Sequence, residues 1–360
     1  MSNGHLTPES VRQALDSFKD PEAGRSVVQL GQIHDLVVEG NRVRVTLGLT
    51  TFSAPLWRET EAELVQHLRS RLPERAEIHV KLAVHQRAPE KIGQLGLSAK
   101  SVVAVGSGKG GVGKSTIASI LAYGLARAGS RVGLLDADVY GPSIPHLIGS
   151  AERPTVLEGK IQPVRVDGLA VMSMGFLVPP GEAVVWRGPM LHGAITQFLR
   201  DTEWGDLDYL FIDMPPGTGD VALTLSQLLP LSGAVVVCTP QDVALLDAVK
   251  AIAMFRKVSI EVLGMVENMS YFLCPHCNTR HDIFGSGGAR QKAAELGVPF
   301  LGEVPLNTQL RILGDEGKVG ASLADKNSGA FLDALCHNLV KNLVTGRRQV
   351  PPMPNLSVLD

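Results

Sequence analysis

The string Gly108-Lys109-Gly110-Gly111-Val112-Gly113-Lys114-Ser115-Thr116 has the composition of a phosphate cradle. It satisfies the spacing G-x-x-x-x-G-K-[ST], with an apolar strand-like run before it and a helical pattern after it. Polyphosphate oxygens are reached by consecutive backbone N–H groups, which side chains at the glycine positions would obstruct. The N-terminus of the following helix adds positive potential. Lys114 would neutralise the β and γ phosphates of ATP, and the Ser115 hydroxyl would take a Mg²⁺ position. Such a site also needs oxygen ligands for the metal and a group that orients an attacking water. Asp136 and Asp138 close the run 134–138 and supply two acids. Asp213 ends the apolar run 210–213, ahead of Pro215-Pro216-Gly217-Thr218-Gly219-Asp220, a loop placed to sense the terminal phosphate. A second chemistry is carried by Cys274-Pro275-His276-Cys277, whose two thiolates can serve one metal centre.

These residues need elements to position them. From residue 101 the pattern is strand, loop, helix, repeated. Apolar runs of the buried parallel type are expected as strands at 101–105, 132–135, 169–174, 209–212, 234–238 and 262–266. Helical patterns fall at 114–128, 189–199, 222–229, 243–256 and 329–344. Such alternation predicts right-handed βαβ crossovers and an α/β fold, a mostly parallel sheet with helices on both faces. Ahead of it, residues 1–87 read as a small α+β domain. A helix at 8–19 capped by Thr7, two strands at 32–39 and 42–49 joined by Gly40-Asn41, a helix at 56–71 and a strand at 76–84 make it up. Residues 88–100, with Pro89, Gly93 and Gly96, read as a linker, 101–346 as the nucleotide domain, and 347–360 as a tail.

The formal charge of −2 excludes a strongly basic chain, so no nucleic-acid partner is expected. Glycine, at 38 of 360 residues, exceeds average usage and suits backbone loops that close on small polar ligands. Four cysteines are too few for a disulfide framework, which points to a reducing, cytoplasmic setting. Residues 1–22 carry no export-signal pattern, and no apolar run approaches the ~20 residues of a membrane span, so no membrane partner is expected.

The second lysine of the loop, Lys109, makes the chain resemble the deviant P-loop ATPases of the MinD, ParA and nitrogenase iron-protein kind. That resemblance implies that Lys109 reaches the phosphates of a partner across a face-to-face homodimer. It also implies that Asp136 lies near the Mg²⁺ shell and that Asp138 positions the water. Longer strings narrow it. Asp138-Val139-Tyr140-Gly141-Pro142-Ser143-Ile144-Pro145, Trp186-Arg187-Gly188-Pro189-Met190, Asp213 to Asp220 and Val266-Glu267-Asn268-Met269-Ser270 are similar to the Mrp/ApbC family of iron-sulfur cluster carrier ATPases. The resemblance spans most of residues 100–345 and implies adenine recognition by Asn268 and cluster binding by Cys274 and Cys277.

A 4Fe-4S cube takes four cysteines, so one chain supplies half a set and a two-fold dimer would supply the rest. The expected function is ATP-dependent assembly of a bridging 4Fe-4S cluster and its delivery to apo-proteins. Other readings of the loop stay open: a zinc site that recruits His276 and His281, a thiol redox pair, or a structural pair. The alternative function is a MinD/ParA-like positioning or adaptor ATPase with structural zinc at the cysteines. Cys238, inside an apolar strand, reads as core packing, and Cys336 lies in the C-terminal helix with no metal partner in sequence. Asp20-Pro21-Glu22, Leu30-Gly31 and Leu49-Thr50-Thr51 resemble the small domain of iron-sulfur assembly proteins. Ser53-Ala54-Pro55 stands where many of those domains carry a cysteine, which argues against a thiol-based role; a docking or regulatory role is expected there, with a purely stabilising domain as the alternative.

Overall fold

The computed structural model describes residues 6–139, 141–177, 188–217, 220–274, 276–277, 279–326 and 328–349. Tyr140, Trp186, Arg187, Thr218, Gly219 and Pro275 of the strings above, and residues 350–360 of the tail, lie outside them. The chain forms two compact units, residues 1–87 with 340–360, and residues 88–339.

In the first unit, α1 (Pro8–Asp16) starts where Thr7 and Ser10 cap each other's backbone N–H groups. Strands β1 (Ile33–Glu39) and β2 (Arg42–Leu49) form an antiparallel hairpin whose turn glycine, Gly40, has φ +60°. After α2 (Trp57–Arg69), strand β3 (Glu77–Val84) pairs parallel with β2. Val43, Val45, Leu47 and Leu49 alternate onto one face of β2 and are buried with Val11, Leu15, Leu64 and Leu68 from the helices.

In the second unit the short β4 (Lys91–Ile92) folds back on β5 (Leu97–Gly106). The stretch read as linker is therefore partly strand, because Leu97 and Ala99 bury in the core of the second unit. Then follow α3 (Lys114–Arg127), β6 (Val132–Asp136), α4 (Ile144–Leu147), β7 (Thr155–Leu157), β8 (Lys160–Gln162), β9 (Val164–Val166) and β10 (Leu169–Ser173). Next are α5 (Gly188–Asp201), β11 (Leu207–Asp213), α6 (Asp220–Leu228), β12 (Gly233–Cys238), α7 (Asp242–Lys257) and β13 (Val262–Leu273). The chain continues through β14 (Arg280–His281), α8 (Gly288–Leu296), β15 (Phe300–Leu306), α9 (Thr308–Asp315) and α10 (Gly329–Gln349).

Seven strands are mutually parallel in the order β15-β13-β12-β5-β11-β6-β10, while β4, β9 and β14 pair antiparallel. This is the α/β, mostly parallel architecture expected. Strand β15 was not anticipated: Gly302, Glu303 and Pro305 break its apolar run, which an edge position tolerates. Strand β13 continues well past residue 266, so Asn268 lies within it. Helix α10 extends to Gln349, into the first residues read as tail.

Register aligns the chemistry. Asp213 at the end of β11 sits opposite Asp136 on β6 and Val105 on β5, so all three strand ends open at the loop after β5. Helix α3 behind that loop is buried along most of its length and packs closely enough that a Cβ on Gly124 would lie 2.4 Å from Cys336 Sγ. Gly124→Ala should therefore destabilise the protein by about 1–3 kcal/mol, although alanine is the better helix former. Adding Cys336→Ala should recover most of the loss in thermal or urea unfolding.

Candidate functional site

The loop after β5 has the backbone that its glycines permit. Gly111 and Gly113 hold φ of +80° and +81°, the left-handed region closed to most side chains. At Gly108 a Cβ would fall 2.1 Å from the Asp247 carbonyl group on α7, so any side chain there displaces the loop. Ser107 ties the loop down: its hydroxyl donates to Lys109 O at 2.9 Å, and its carbonyl accepts from Gly217 N at 2.9 Å. Val112 is buried, whereas Gly110 and Gly111 face solvent and Ser115 and Thr116 are half-buried.

Lys114, the first residue of α3, is only 6% exposed. Its ammonium donates to Asp213 Oδ1 at 2.6 Å and to Ser115 Oγ at 3.2 Å, with Asp138 Oδ2 at 3.8 Å. Asp136 is buried and fully engaged, accepting from Asp138 N at 3.1 Å, Ile144 N at 3.2 Å and Ser173 Oγ at 2.9 Å. Burial, with the Asp213 charge second, pushes the Asp136 carboxyl up to about 7. Burial also raises Asp213, opposed by Lys114. Asp213 Oδ2 is buried with no hydrogen-bond partner among the described residues. Mg²⁺ is bound by one or two carboxylates together with phosphate oxygens, so an orphaned carboxylate oxygen near a serine hydroxyl fits that ion. Lys109 is half-buried and forms no ion pair among the described residues.

Asn268 on β13 donates from Nδ2 to Val112 O at 2.9 Å. Here it braces the phosphate loop with one of its two amide N–H donors, which leaves its amide oxygen available for the base-recognition role implied by resemblance. Immediately after it, Met269 takes φ +54° and the β13–β15 register shifts between Asn268 and Phe272. The strand then runs out to Cys274.

The cysteines sit at the tip of the β13–β14 hairpin, closed by Cys274 N donating to Thr279 O at 3.0 Å. Cys274 is half-buried and Cys277 exposed. The Thr279 hydroxyl, 3.1 Å from Cys277 Sγ, leads a set of hydrogen bonds that lowers the Cys277 thiol and favours the metal-binding thiolate. His281 tilts against the Phe272 ring at 6.4 Å. Among the described residues no three His, Cys, Asp or Glu side chains gather as a metal site, so His276 and His281 do not complete a zinc set with the thiols. Burial pushes Cys238 and Cys336 up to about 12, as suits core residues.

Sequence reasoning missed the group that frames this hairpin. Glu267 is fully buried and accepts from Ser270 Oγ, from Gly287 N at 3.2 Å and from Ala289 N at 2.7 Å. It joins the strand before the cysteines to the start of α8 after them. Its only signal was an acid inside an apolar strand, which demands compensation. Arg280 adds a brace, over the Tyr271 ring at 4.0 Å and paired with Asp282 at 2.8 Å and Glu303 at 3.4 Å.

The model of the NUBPL iron-transfer P-loop NTPases matches residues 98–343, and that of iron-sulfur cluster assembly proteins matches residues 8–80. The chain belongs to the NUBPL iron-transfer P-loop NTPase family. It is 48% identical to an iron-sulfur cluster carrier protein of Deinococcus radiodurans over 86% of this chain and 87% of that one. A carrier protein of the same description from Synechocystis is 45% identical over 87% and 90%. Among solved structures it resembles a nucleotide-binding protein from Archaeoglobus fulgidus in complex with ADP. That likeness has a TM-score of 0.56 and 43% identity, over 62% of this chain and 88% of that one. As a member of this NUBPL-type family the chain carries an iron-transfer P-loop fold. Among its described residues no helix is long and apolar enough to cross a membrane.

The Lys114–Asp213 pair makes a prediction independent of turnover. Without nucleotide, Lys114→Ala leaves Asp213 buried and unpaired and should cost about 3–5 kcal/mol of stability. Adding Asp213→Asn should return part of it, as read from thermal unfolding of the single and double variants.

Proposed function

We propose that this chain binds and hydrolyses ATP, and that two copies hold a bridging 4Fe-4S cluster between their Cys274 and Cys277 pairs for delivery to apo-proteins. The observation that carries the reading is the hairpin: two thiols at an exposed tip, one of them lowered by Thr279, with no further protein ligand beside them among the described residues. A cluster with four thiolate ligands then calls on a second copy. The exposed faces of Val243 and Leu246, 65% and 62% accessible on the helix packed against Gly108, support burial by that copy beside the nucleotide.

In this reading the backbone N–H groups of residues 108–116 cradle the polyphosphate, with Lys114 exchanging Asp213 for phosphate oxygens. Ser115 and Asp213 would hold Mg²⁺, with Asp136 behind them fixing the Asp138 backbone and the start of α4. Bound Mg²⁺ supplies charge neutralisation on the phosphates. Asp138, hydrogen-bonded from Gly141 N at 3.3 Å, would orient the water, and Lys109 would reach the phosphates of the partner. Asn268 would read the base through its oxygen while holding Val112. The small first domain, which the model of iron-sulfur cluster assembly proteins matches over residues 8–80, would dock or regulate. The reducing cytoplasm is the compartment that suits open thiols and a labile cluster.

Anaerobic reconstitution tests the site. Wild-type protein should take up iron and sulfide with visible cluster absorption, and Cys274→Ser should lose both. Full loading of Cys274→Ser would end the carrier reading for this hairpin. Lys114→Ala should abolish ATP turnover measured by phosphate release, and retained wild-type turnover would contradict the nucleotide assignment.

A further inference from the structure

The first unit holds a histidine pair that neither loop uses. His34 comes from β1 and His85 follows β3, the two outer strands of the three-stranded sheet, and their rings meet above the middle strand β2. His34 Nε2 lies 3.1 Å from His85 Nδ1, with ring centroids 5.4 Å apart.

Three backbone features build this meeting. Ile33 faces Leu47 and Asp35 faces Thr46, so His34 is the additional residue of a β-bulge, a device that re-aims one side chain. His85 is fixed just beyond β3 by its N–H, which donates to Leu49 O at 2.8 Å. Between the two stands Gly48, where a Cβ would lie 2.4 Å from His34 Nε2 and 3.0 Å from His85 Cβ. A side chain on the middle strand would close the gap that the rings occupy.

We propose that His34 and His85 form a two-imidazole clip for a divalent first-row transition ion. Nitrogens at metal-bond lengths of about 2.0–2.1 Å and 3.1 Å from each other subtend about 95–100° at the ion, between octahedral and tetrahedral geometry. Imidazole suits zinc, nickel, copper and iron alike. In the ion-free pair one nitrogen donates its N–H and the other accepts. Both lone pairs become available when the donor ring shifts its proton to its other nitrogen, so no net proton need leave. The neighbouring row on the same sheet face carries Asp35 and Lys81 across Thr46, opposite charges that leave little net field on the ion. Among the described residues no third His, Cys, Asp or Glu completes the set. In the proposed site water or a ligand brought by another molecule takes the remaining positions, and the site is labile where a four-ligand structural zinc site is closed. Its residues are not those of the cysteine hairpin, and its test removes that hairpin's thiols.

Untagged full-length protein carrying Cys274→Ser and Cys277→Ser is dialysed to equilibrium against Zn²⁺. One zinc per chain should bind, and adding His34→Asn or His85→Asn should weaken binding by about tenfold or more. Gly48→Ala should weaken it with both histidines intact, through the displaced His34 ring. The proposal is overturned if the doubly serine-substituted chain binds no zinc, or if binding is unchanged in the His34 and His85 variants.

Discussion

A lysine ammonium sealed against a buried carboxylate governs the nucleotide half of this molecule. Lys114 and Asp213 meet at 2.6 Å at the convergence of three strand ends, with Asp136 and Asp138 close by. Burying such a pair gains little stability, because desolvation of both ions offsets their attraction. The arrangement makes sense as a reserved place for charge. Among the described residues Asp213 Oδ2 is buried with no hydrogen-bond partner, and polyphosphate with a divalent ion would satisfy the lysine and that oxygen together. The parallel register that sets Asp213 against Asp136 is the constraint behind it, since a slip of one residue would turn either acid to the other face of the sheet.

Strand β13 connects that place to the cysteines. Asn268 touches the phosphate loop through Val112, and six residues later the same strand delivers Cys274. The positive φ of Met269 and the register shift beside it offset the strand end against β15 before it pairs again at Phe272, while Glu267 holds the returning chain at α8. A change in the phosphate loop that moves Val112 thus has a direct covalent and hydrogen-bonded route to the thiols. This is the physical form that coupling between ATP and cluster would take.

Much of this was legible in the residues. The loop 108–116 announces itself because phosphate chemistry restricts each position to glycine, lysine or hydroxyl, and Asp136 and Asp213 stand out as acids that end apolar strands. Long-range compensation was harder to read. Ser173 reaches Asp136 from β10, and Glu267 finds the N–H groups of Gly287 and Ala289, partners 37, 20 and 22 residues away in sequence. Local composition also misled where tertiary burial wins: Leu97 and Ala99 are strand despite the glycines before them, and β15 survives Pro305 because it is an edge. The histidine pair depends on a bulge in β1 and on Gly48 in the neighbouring β2, which no spacing pattern announces.

The central claim is that one cluster belongs to two chains. Native mass spectrometry of the anaerobically reconstituted protein measures that stoichiometry directly. The account predicts a dimer carrying a single 4Fe-4S cluster, with the monomer free of iron and sulfide. A monomer that retains a complete cluster would contradict it.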